Sequence, residues 1–236
     1  MNISPFFIFN LVLFALIFLA FLLFYRRSVN NELNAPLKLL RYYENALENY
    51  RKVGNRTGEA DTLGKIGLHY NSLGQFDEAL GYFNDALLIR CEIGDRTDEA
   101  TALNNIGSAY RNLDKPQEAL RFYNKSLTIS REEGDNVGEA ITLNNIGLVY
   151  DGLGQPEESL RNYNESLFIR CEIGDPLGES KTRYNISKIY WGQGKLILAR
   201  DQLQFAVKLL DTVESPYQIV FQQELAVLEE EIANIK

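Results

Sequence analysis

The chain begins with a continuous apolar run. From Phe6 to Tyr25 almost every residue is apolar, and Asn10 is the only strongly polar side chain. At about 1.5 Å per residue, a helix of this length spans roughly 30 Å, which is the thickness of the hydrocarbon core of a bilayer. We therefore predict that residues 1–27 form an N-terminal transmembrane anchor, which contacts the membrane through residues 5–25.

A cleavable signal peptide is the competing interpretation of this run. It would need a basic segment in front, a shorter apolar core and small residues before the cut. No lysine or arginine precedes the run, and Arg26 and Arg27 follow it without such a cleavage site. We favour the uncleaved anchor; a cleaved chain would be periplasmic or lumenal. Because basic residues flank membrane spans on the cytoplasmic side, Arg26 and Arg27 predict a single-pass protein whose soluble domain faces the cytoplasm or a plastid stroma.

Beyond residue 60, apolar and small residues recur every forty positions. The recurring columns are Ile66, Ile106, Ile146 and Ile186; Gly67, Gly107, Gly147 and Ser187; Tyr70, Tyr110, Tyr150 and Tyr190; and Ala79, Ala119, Ser159 and Ala199. Within one copy, Leu103, Ile106, Gly107 and Tyr110 follow the i, i+3, i+4, i+7 spacing of one helix face. Ala119, Tyr123 and Ser126 begin a second such face. Each copy therefore predicts two packed helices.

The residues between these helices are typical helix boundaries. Gly94, Gly134 and Gly174 suit the left-handed position that ends a helix. Asp95, Asp135 and Asp175, with Asn55 equivalent, suit the N-cap of the next helix. Pro176 would then be the first residue of a helix, and Pro36, Pro116 and Pro156 would begin second helices in the same way.

These residues resemble the tetratricopeptide repeat. The signature of that family is met by Leu103, Ile106-Gly107, Tyr110, Ala119, Tyr123 and Ser126. The forty-residue spacing is similar to the longer subtype in kinesin light chain-like proteins and in cyanobacterial arrays. The resemblance implies an all-α fold, a right-handed solenoid whose first helices line a concave groove.

The same register divides the whole chain. Complete repeats are predicted at residues 61–100, 101–140, 141–180 and 181–215, the last of them degenerate because Arg183 and Ser187 replace an apolar residue and a glycine. After a short linker at residues 28–35, residues 36–60 match only the second helix of a repeat. Residues 216–236 are predicted to form the capping helix that covers the last open core face. The solenoid thus has about four and a half helix pairs and a cap.

Composition argues against nucleic-acid binding and catalysis. The net charge of −8 does not suit a nucleic-acid partner, which requires a basic face. The one histidine, His69, shares its column with Ala109, Val149 and Ile189, so we expect it to be packed in the core. Cys91 and Cys171 share a column two repeats apart, too far to bridge, and we expect both to be small packed residues. We predict no catalytic residue, metal site, cofactor or small-molecule substrate, and keep an enzyme with an unrecognised site as a remote hypothesis.

Binding of another protein is the function that we favour. Asparagines recur in mid-helix, where they are middling helix formers; they are Asn104, Asn105, Asn144, Asn145 and Asn185. The resemblance implies that these positions face the groove, where amides bind the backbone of a peptide. The alternative is that they bond adjacent repeats to each other, and the two are not exclusive. Further groove candidates are Lys65, Arg111, Lys181 and Lys188, which suggest a partial preference for carboxylate groups.

The expected role is therefore a membrane-anchored scaffold or assembly factor that binds a membrane-associated protein partner. The layout is similar to that of thylakoid-anchored repeat proteins that assist photosystem assembly. The complex that the protein helps to assemble is therefore expected to be a photosystem or another membrane complex. The alternative is a sensory or adaptor module of a signalling complex, with its output domain on a separate chain.

Overall fold

A computed structural model of the chain describes residues 37–211, 213 and 215–235, and that part consists of helices and short turns without strands. Helix α1 covers residues 37–52. It is followed by α2 (Arg56–Ser72), α3 (Phe76–Ile93), α4 (Arg96–Asn112), α5 (Pro116–Glu133), α6 (Asn136–Gly152), α7 (Pro156–Ile173), α8 (Pro176–Gly192), α9 (Leu196–Leu210) and α10 (Gln218–Asn234). Within the described residues no helix is both long and apolar enough to cross a bilayer. The predicted anchor and linker lie outside them.

Consecutive helices pack as antiparallel pairs, and the pairs stack. Helix α2 packs on α3, α4 on α5, α6 on α7 and α8 on α9, and each second helix also contacts the next first helix. In addition α2 touches α4, α4 touches α6 and α6 touches α8, whereas consecutive second helices in the described part do not approach each other comparably. The first helices are thus the closer-spaced row. The structure confirms an all-α repeat solenoid, and this spacing places its first helices on the inner side.

The helix boundaries agree with the sequence prediction. Asp95, Asp135, Asp175 and Asn55 are N-caps, and each side chain accepts a hydrogen bond from a backbone N–H in the first turn. Gly94, Gly134 and Gly174 follow the ends of α3, α5 and α7 in the left-handed conformation, with φ of 73°, 68° and 67°. Pro116, Pro156 and Pro176 begin their helices. Pro36 lies outside the described residues.

Small residues of the first helices lie directly on large residues of the second. A Cβ built on Gly107 would lie 2.7 Å from the ring of Tyr123, and one on Gly147 would lie 2.5 Å from the ring of Tyr163. Real Cβ atoms do not approach carbon so closely, so Gly107 and Gly147 are needed for packing against these rings rather than for backbone conformation. Tyr123 and Tyr163 are completely buried as a result.

The two ends of the solenoid differ. Helix α1 occupies the position of a second helix, but its Leu39 is 43% exposed, whereas the equivalent Ala79 and Ala119 are fully buried. At the other end α10 packs against α9. Its Phe221 is buried and stacks on Tyr184, with the ring centroids 4.3 Å apart. The C-terminal end is therefore closed by a helix, and the described N-terminal end leaves part of α1 open.

Candidate protein-interaction site

The nine residues predicted to face the groove all lie on first helices. Lys65 belongs to α2; Asn104, Asn105 and Arg111 to α4; Asn144 and Asn145 to α6; and Lys181, Asn185 and Lys188 to α8. The asparagines are half-buried, and Lys65 and Lys188 are exposed. The sequence therefore placed every candidate on the inner row of helices, but their contacts divide them into two groups.

Four of the five asparagines bond adjacent repeats to each other. The side-chain amide of Asn145 donates to Oδ1 of Asn104 at 3.0 Å, and that of Asn185 donates to Oδ1 of Asn144 at 3.1 Å. Thr182 adds its hydroxyl to the second pair, 3.4 Å from Oδ1 of Asn144. Each of the two amide–amide bonds joins residues that are 41 positions apart. We call these bonds the asparagine rungs, and they correspond to the structural alternative of the sequence analysis.

Asn105 differs from the other four because its repeat partner is a glycine. Gly64 lies 41 positions before Asn105, where Asn104 and Asn144 would supply an acceptor oxygen, and glycine has no side chain to supply one. Within the described part of the chain, the side-chain amide of Asn105 has no hydrogen-bond partner. A half-buried amide that can donate and accept at once suits the backbone of an extended peptide. Asn105 is therefore the asparagine whose position remains open to a ligand.

The basic candidates also differ in their surroundings. The ammonium group of Lys181 lies 4.7 Å from the ring centroid of Tyr217, and that of Lys188 lies 3.5 Å from a carboxylate oxygen of Glu224 on α10. Arg111 has a long contact of 3.4 Å to Asn112. Lys65 forms no ion pair with any described residue. Helix α10 and the residue before it, Tyr217, thus contact two of the four cations, whereas Lys65 on the N-terminal half of the inner face has no such contact.

A cavity of about 150 Å³ lies beside Gly64, between α2, α3 and α4. Its walls combine apolar, charged and amide groups, and they are Ala60, Asp61, Gly64, Lys65, Leu68, Phe83, Ala86, Arg90, Asp98, Thr101, Ala102 and Asn105. Leu68 is 49% exposed at this face. The cavity therefore brings two of the predicted residues, Lys65 and Asn105, together.

One end of the cavity is formed by a buried arginine and its aspartates. The guanidinium of Arg90 donates to Asp61 and to Asp95, the latter at 2.9 Å, and lies 2.9 Å from a carboxylate oxygen of Asp98. Arg90 is only 4% exposed. Burial raises the pKa of Asp98; Arg90 opposes that rise, and the charges of Asp95 and Asp61 add to it. Three carboxylates thus surround one guanidinium, so this group of four side chains carries more negative than positive charge.

The sequence analysis missed this cluster and a further amide bond. The side chain of Asn112 donates to Oδ1 of Asn71 at 3.2 Å, which is another pair 41 residues apart. The signal for Arg90 was present in its column, where Arg170 recurs and also binds an aspartate, Asp175, at 2.6 Å. An arginine that recurs two repeats later near the end of a helix, each time with an aspartate five positions after it, predicts an ion pair between the two.

Two expectations on single residues need correction. Cys91 and Cys171 are free and exposed rather than packed, because the last turn of α3 and α7 presents this column to solvent. His69 is half-buried, while Ala109, Val149 and Ile189 of the same column are buried. Its ring lies beside that of Tyr70, with centroids 6.3 Å apart. The N-terminal repeat is thus packed less completely at this column than the repeats that follow it.

The described residues also bear on metal binding. They contain no group of three or more histidine, cysteine, aspartate or glutamate side chains arranged to hold a metal ion. What the inner face presents is a cavity with exposed apolar, amide and charged groups, which is the composition of a protein-recognition surface.

The comparisons agree with this architecture. The profile of the tetratricopeptide repeat family matches residues 36–92 and 98–172, and the chain belongs to that family. No curated protein sequence is significantly similar to the chain. A tetratricopeptide repeat protein of this kind is a protein-interaction scaffold.

Several solved structures share the fold at low sequence identity. BtubC (BKLC) from P. vanneervenii has a TM-score of 0.74 at 15% identity, covering 84% of this chain and 85% of that one. Aspartyl phosphate phosphatase F from Bacillus subtilis has a TM-score of 0.73 at 16% identity, and the match covers 82% of this chain and 50% of the phosphatase. The putative kinesin light chain repeats from Podosopora anserina have a TM-score of 0.60 at 15% identity, covering 74% of this chain and 86% of theirs.

Proposed function

We propose that this protein is a membrane-anchored scaffold or assembly factor, which binds a segment of a membrane-associated protein along the inner face of its N-terminal repeats. The observation that carries the proposal is the unpaired amide of Asn105 beside the cavity at Gly64. The other asparagines of the inner face are occupied by the rungs between repeats. The binding surface is therefore formed by α2 and α4 more than by α6 and α8.

The anchor is the second part of the proposal. It is supported by the apolar run from Phe6 to Tyr25 and by Arg26 and Arg27 behind it. The first described helix begins at residue 37, so few residues separate the apolar run from the repeats. A binding face held this close to a membrane would meet membrane proteins, or chains being inserted into one, before soluble ligands.

Site-specific photocrosslinking in native membranes tests the binding face. A photoreactive residue is introduced at Leu68, which borders the cavity, and in a second variant at Leu88, which is 61% exposed on α3 and does not line the cavity. We expect a discrete crosslinked protein from position 68 that is absent from position 88. The crosslink should be lost when Asn105→Ala is added. Equal labelling from both positions would argue against the inner face as the binding surface.

The cysteines test the anchor and its orientation. Cys91 and Cys171 are exposed and free, so a membrane-impermeant maleimide reports which side of the bilayer the repeats occupy. Burial is the main cause that raises the pKa of both thiols, so labelling is best done at mildly alkaline pH, where more thiolate is present. We expect the protein to resist alkaline extraction from membranes, and its thiols to be labelled only when the cytoplasmic side is accessible. Release by alkali, or labelling from the opposite side, would reject the anchor as proposed.

The alternative, an adaptor module of a signalling complex, would use the same binding surface as the assembly factor but would bind a different partner. A crosslinked partner that carries a kinase or protease domain would favour the adaptor, and a subunit of a membrane complex would favour the assembly factor.

A further inference from the structure

A glycine of α2 borders a cavity on the inner face. Gly64 stands where α4 carries Asn104 and α6 carries Asn144. The equivalent cavity beside Asn104, one repeat further on, has a volume of about 60 Å³, compared with about 150 Å³ beside Gly64. A Cβ built on Gly64 meets no atom within 4 Å. The additional space at Gly64 therefore includes the place that the side chains of Asn104 and Asn144 occupy in the later repeats, and the small Ala86 and Ala102 add to it where the next repeat has Ser126 and Thr142.

The walls of this cavity favour a long side chain with a positive end. Its apolar walls are Ala60, Phe83, Ala86 and Ala102, and Asp61 and Asp98 stand with Arg90 at one end. Three carboxylates surround that single guanidinium, two of them with about half of the side chain exposed. The other cation in the walls, Lys65, is exposed to water, as Asp61 is, and forms no ion pair with a described residue.

The next repeat lacks these charged groups. There Ser130 replaces Arg90, Gly138 replaces Asp98 and Thr101 replaces Asp61, and the cavity contains no carboxylate except Asp135 at the helix cap. The chain thus carries matched sites in neighbouring repeats: one is open and has three carboxylates around Arg90 at one end, and the other is filled and has Asp135 as its only carboxylate.

We propose that the cavity at Gly64 binds a lysine or arginine side chain of the partner protein. The aliphatic part of that side chain lies on the alanines and Phe83, and its charged end reaches Asp61 and Asp98. The amide of Asn105 at the opening binds the backbone of the same residue. The inference rests on the proposed function, because it assigns the anchoring side chain of a partner bound at that face.

The test uses the full chain in detergent micelles and a displayed library of random dodecapeptides. Selection is carried out on the unaltered protein, on Gly64→Asn and on Gly81→Asn. The first substitution fills the cavity in the way that Asn104 fills its own and supplies an acceptor for Asn105. The second makes the same chemical change on α3, where a Cβ also meets nothing within 4 Å. Enriched peptides are then synthesised with arginine and with its neutral isostere citrulline, and affinities are measured by fluorescence anisotropy.

We expect enriched peptides to share a lysine or arginine at a fixed position, and citrulline to weaken binding about tenfold, the loss of one charge-assisted hydrogen bond. Gly64→Asn should abolish binding with an unfolding midpoint equal to or above that of the unaltered protein, so a folding defect cannot explain the loss. Gly81→Asn should bind normally, and Asp98→Asn should reduce the arginine preference. Citrulline peptides that bind equally, or binding that survives Gly64→Asn, would overturn the inference. Enriched peptides without a basic residue that still need Asn105 would overturn it too and leave the proposed function standing.

Discussion

The side-chain amide of Asn145 donates to the side-chain oxygen of Asn104, 3.0 Å away and one repeat earlier in the chain. This contact changes the meaning of the asparagine columns, because an amide that holds two repeats together is not free to hold a ligand. It also separates the columns experimentally, since Asn105 has the same residue type and helix position as Asn145 but faces Gly64.

Alanine substitutions at these two positions should therefore differ in their effect on stability. Both gain helix propensity, so that gain cancels when the two variants are compared. Asn145→Ala loses a hydrogen bond between repeats and should be less stable than Asn105→Ala by about 1 kcal/mol. Urea unfolding of the full chain, followed by circular dichroism, measures the difference. If both variants lose stability equally, Asn105 has a structural partner and the open position proposed for it is wrong.

The glycines that lie against an aromatic ring of the second helix should tolerate alanine very differently from glycines in open positions. Gly107→Ala places a Cβ against the ring of Tyr123 at 2.7 Å, whereas Gly81→Ala meets nothing within 4 Å. Overpacking costs about 1–3 kcal/mol, and a glycine replaced in an exposed helix gains up to about 1 kcal/mol. We expect the two variants to differ by at least about 2 kcal/mol, with Gly107→Ala the less stable. A Gly107→Ala protein that unfolds at the same midpoint as the unaltered chain would show that the helices separate easily.

The capping helix should be detachable by removing one hydroxyl group. Tyr184 donates to Glu224 on α10 at 2.9 Å, and Trp191 donates from its indole nitrogen to Glu231 at 2.8 Å. Tyr184→Phe keeps the ring that stacks on Phe221 and loses the hydrogen bond, at a cost of about 1 kcal/mol. Trp191 is the only tryptophan of the chain, so its emission reports the contact with α10.

In Tyr184→Phe we expect the red shift of tryptophan emission to begin at a lower urea concentration than the loss of helical signal from the repeats. Burial and the bond to Glu224 raise the pKa of Tyr184 to about 12. Because this value lies above the ordinary 10.0, the contribution of Tyr184 is present at neutral pH and is lost only as the pH rises through about 12. Simultaneous loss of both signals would mean that the cap and the repeats unfold together.

Glu59 should link stability to acid pH. Its carboxylate accepts from Arg51 at 2.8 Å and from Arg56 at 2.7 Å. The hydrogen bond from Arg51 is the main cause that lowers its pKa below the ordinary 4.5; burial opposes the shift and Arg56 adds to it. A lowered folded-state pKa stabilises the fold above the unfolded value, and that stability is lost as the pH falls through the folded value.

Glu59→Gln should accordingly be less stable than the unaltered protein at neutral pH, and the difference should shrink as the pH falls below 4.5. Thermal unfolding at a series of pH values measures it. Glu133→Gln serves as the control, because Glu133 is exposed on α5 and has no ion pair in the described part of the chain. A difference for Glu59→Gln that persists unchanged in acid would contradict the link.

The sequence predicted the repeated pairs of helices because local signals and packing agree there. Asp135 caps α6 as its residue type indicates, and Gly134 takes the left-handed conformation before it. The column of Gly107 required the large ring of Tyr123 opposite, which an alignment of the copies reveals. These features repeat, so each copy supports the interpretation of the others.

The candidate site was predictable only in part. The asparagine columns placed it on the correct helices, but whether an amide meets a neighbour depends on the residue 41 positions away, and the columns were compared at a spacing of forty. Gly64 shares its column with Asn104 and Asn144, but Asn105, the amide that it leaves without an acceptor, lies in the next column. The partners of Arg90 were missed for the same reason, because Asp61 lies on another helix and 29 residues away in the chain.

Recurrent ion pairs were also overlooked. The column of Glu59 contains a glutamate in each later repeat, and each of them forms an ion pair with an arginine. The pairs are Glu99 with Arg96, Glu139 with Arg131, and Glu179 with Arg183. Their arginines come from three columns, because Arg56 aligns with Arg96 and Arg51 with Arg131 while Arg183 stands alone, so no single column of basic residues accompanies the glutamates.

Because the asparagine rungs have a constant spacing, whole repeats can be lost or duplicated with different effects at different places in the array. Removing residues 141–180 as a block would bring Asn185 opposite Asn104, whose oxygen occupies the same place as that of Asn144, and the rung would form again. Removing residues 101–140 would instead bring Asn145 opposite Gly64, which has no side chain to accept a hydrogen bond. Tandem duplication or loss of copies can thus lengthen or shorten the array behind the second repeat without disturbing its joints. The open position at Gly64 would stay where it is, at the end nearest the apolar run.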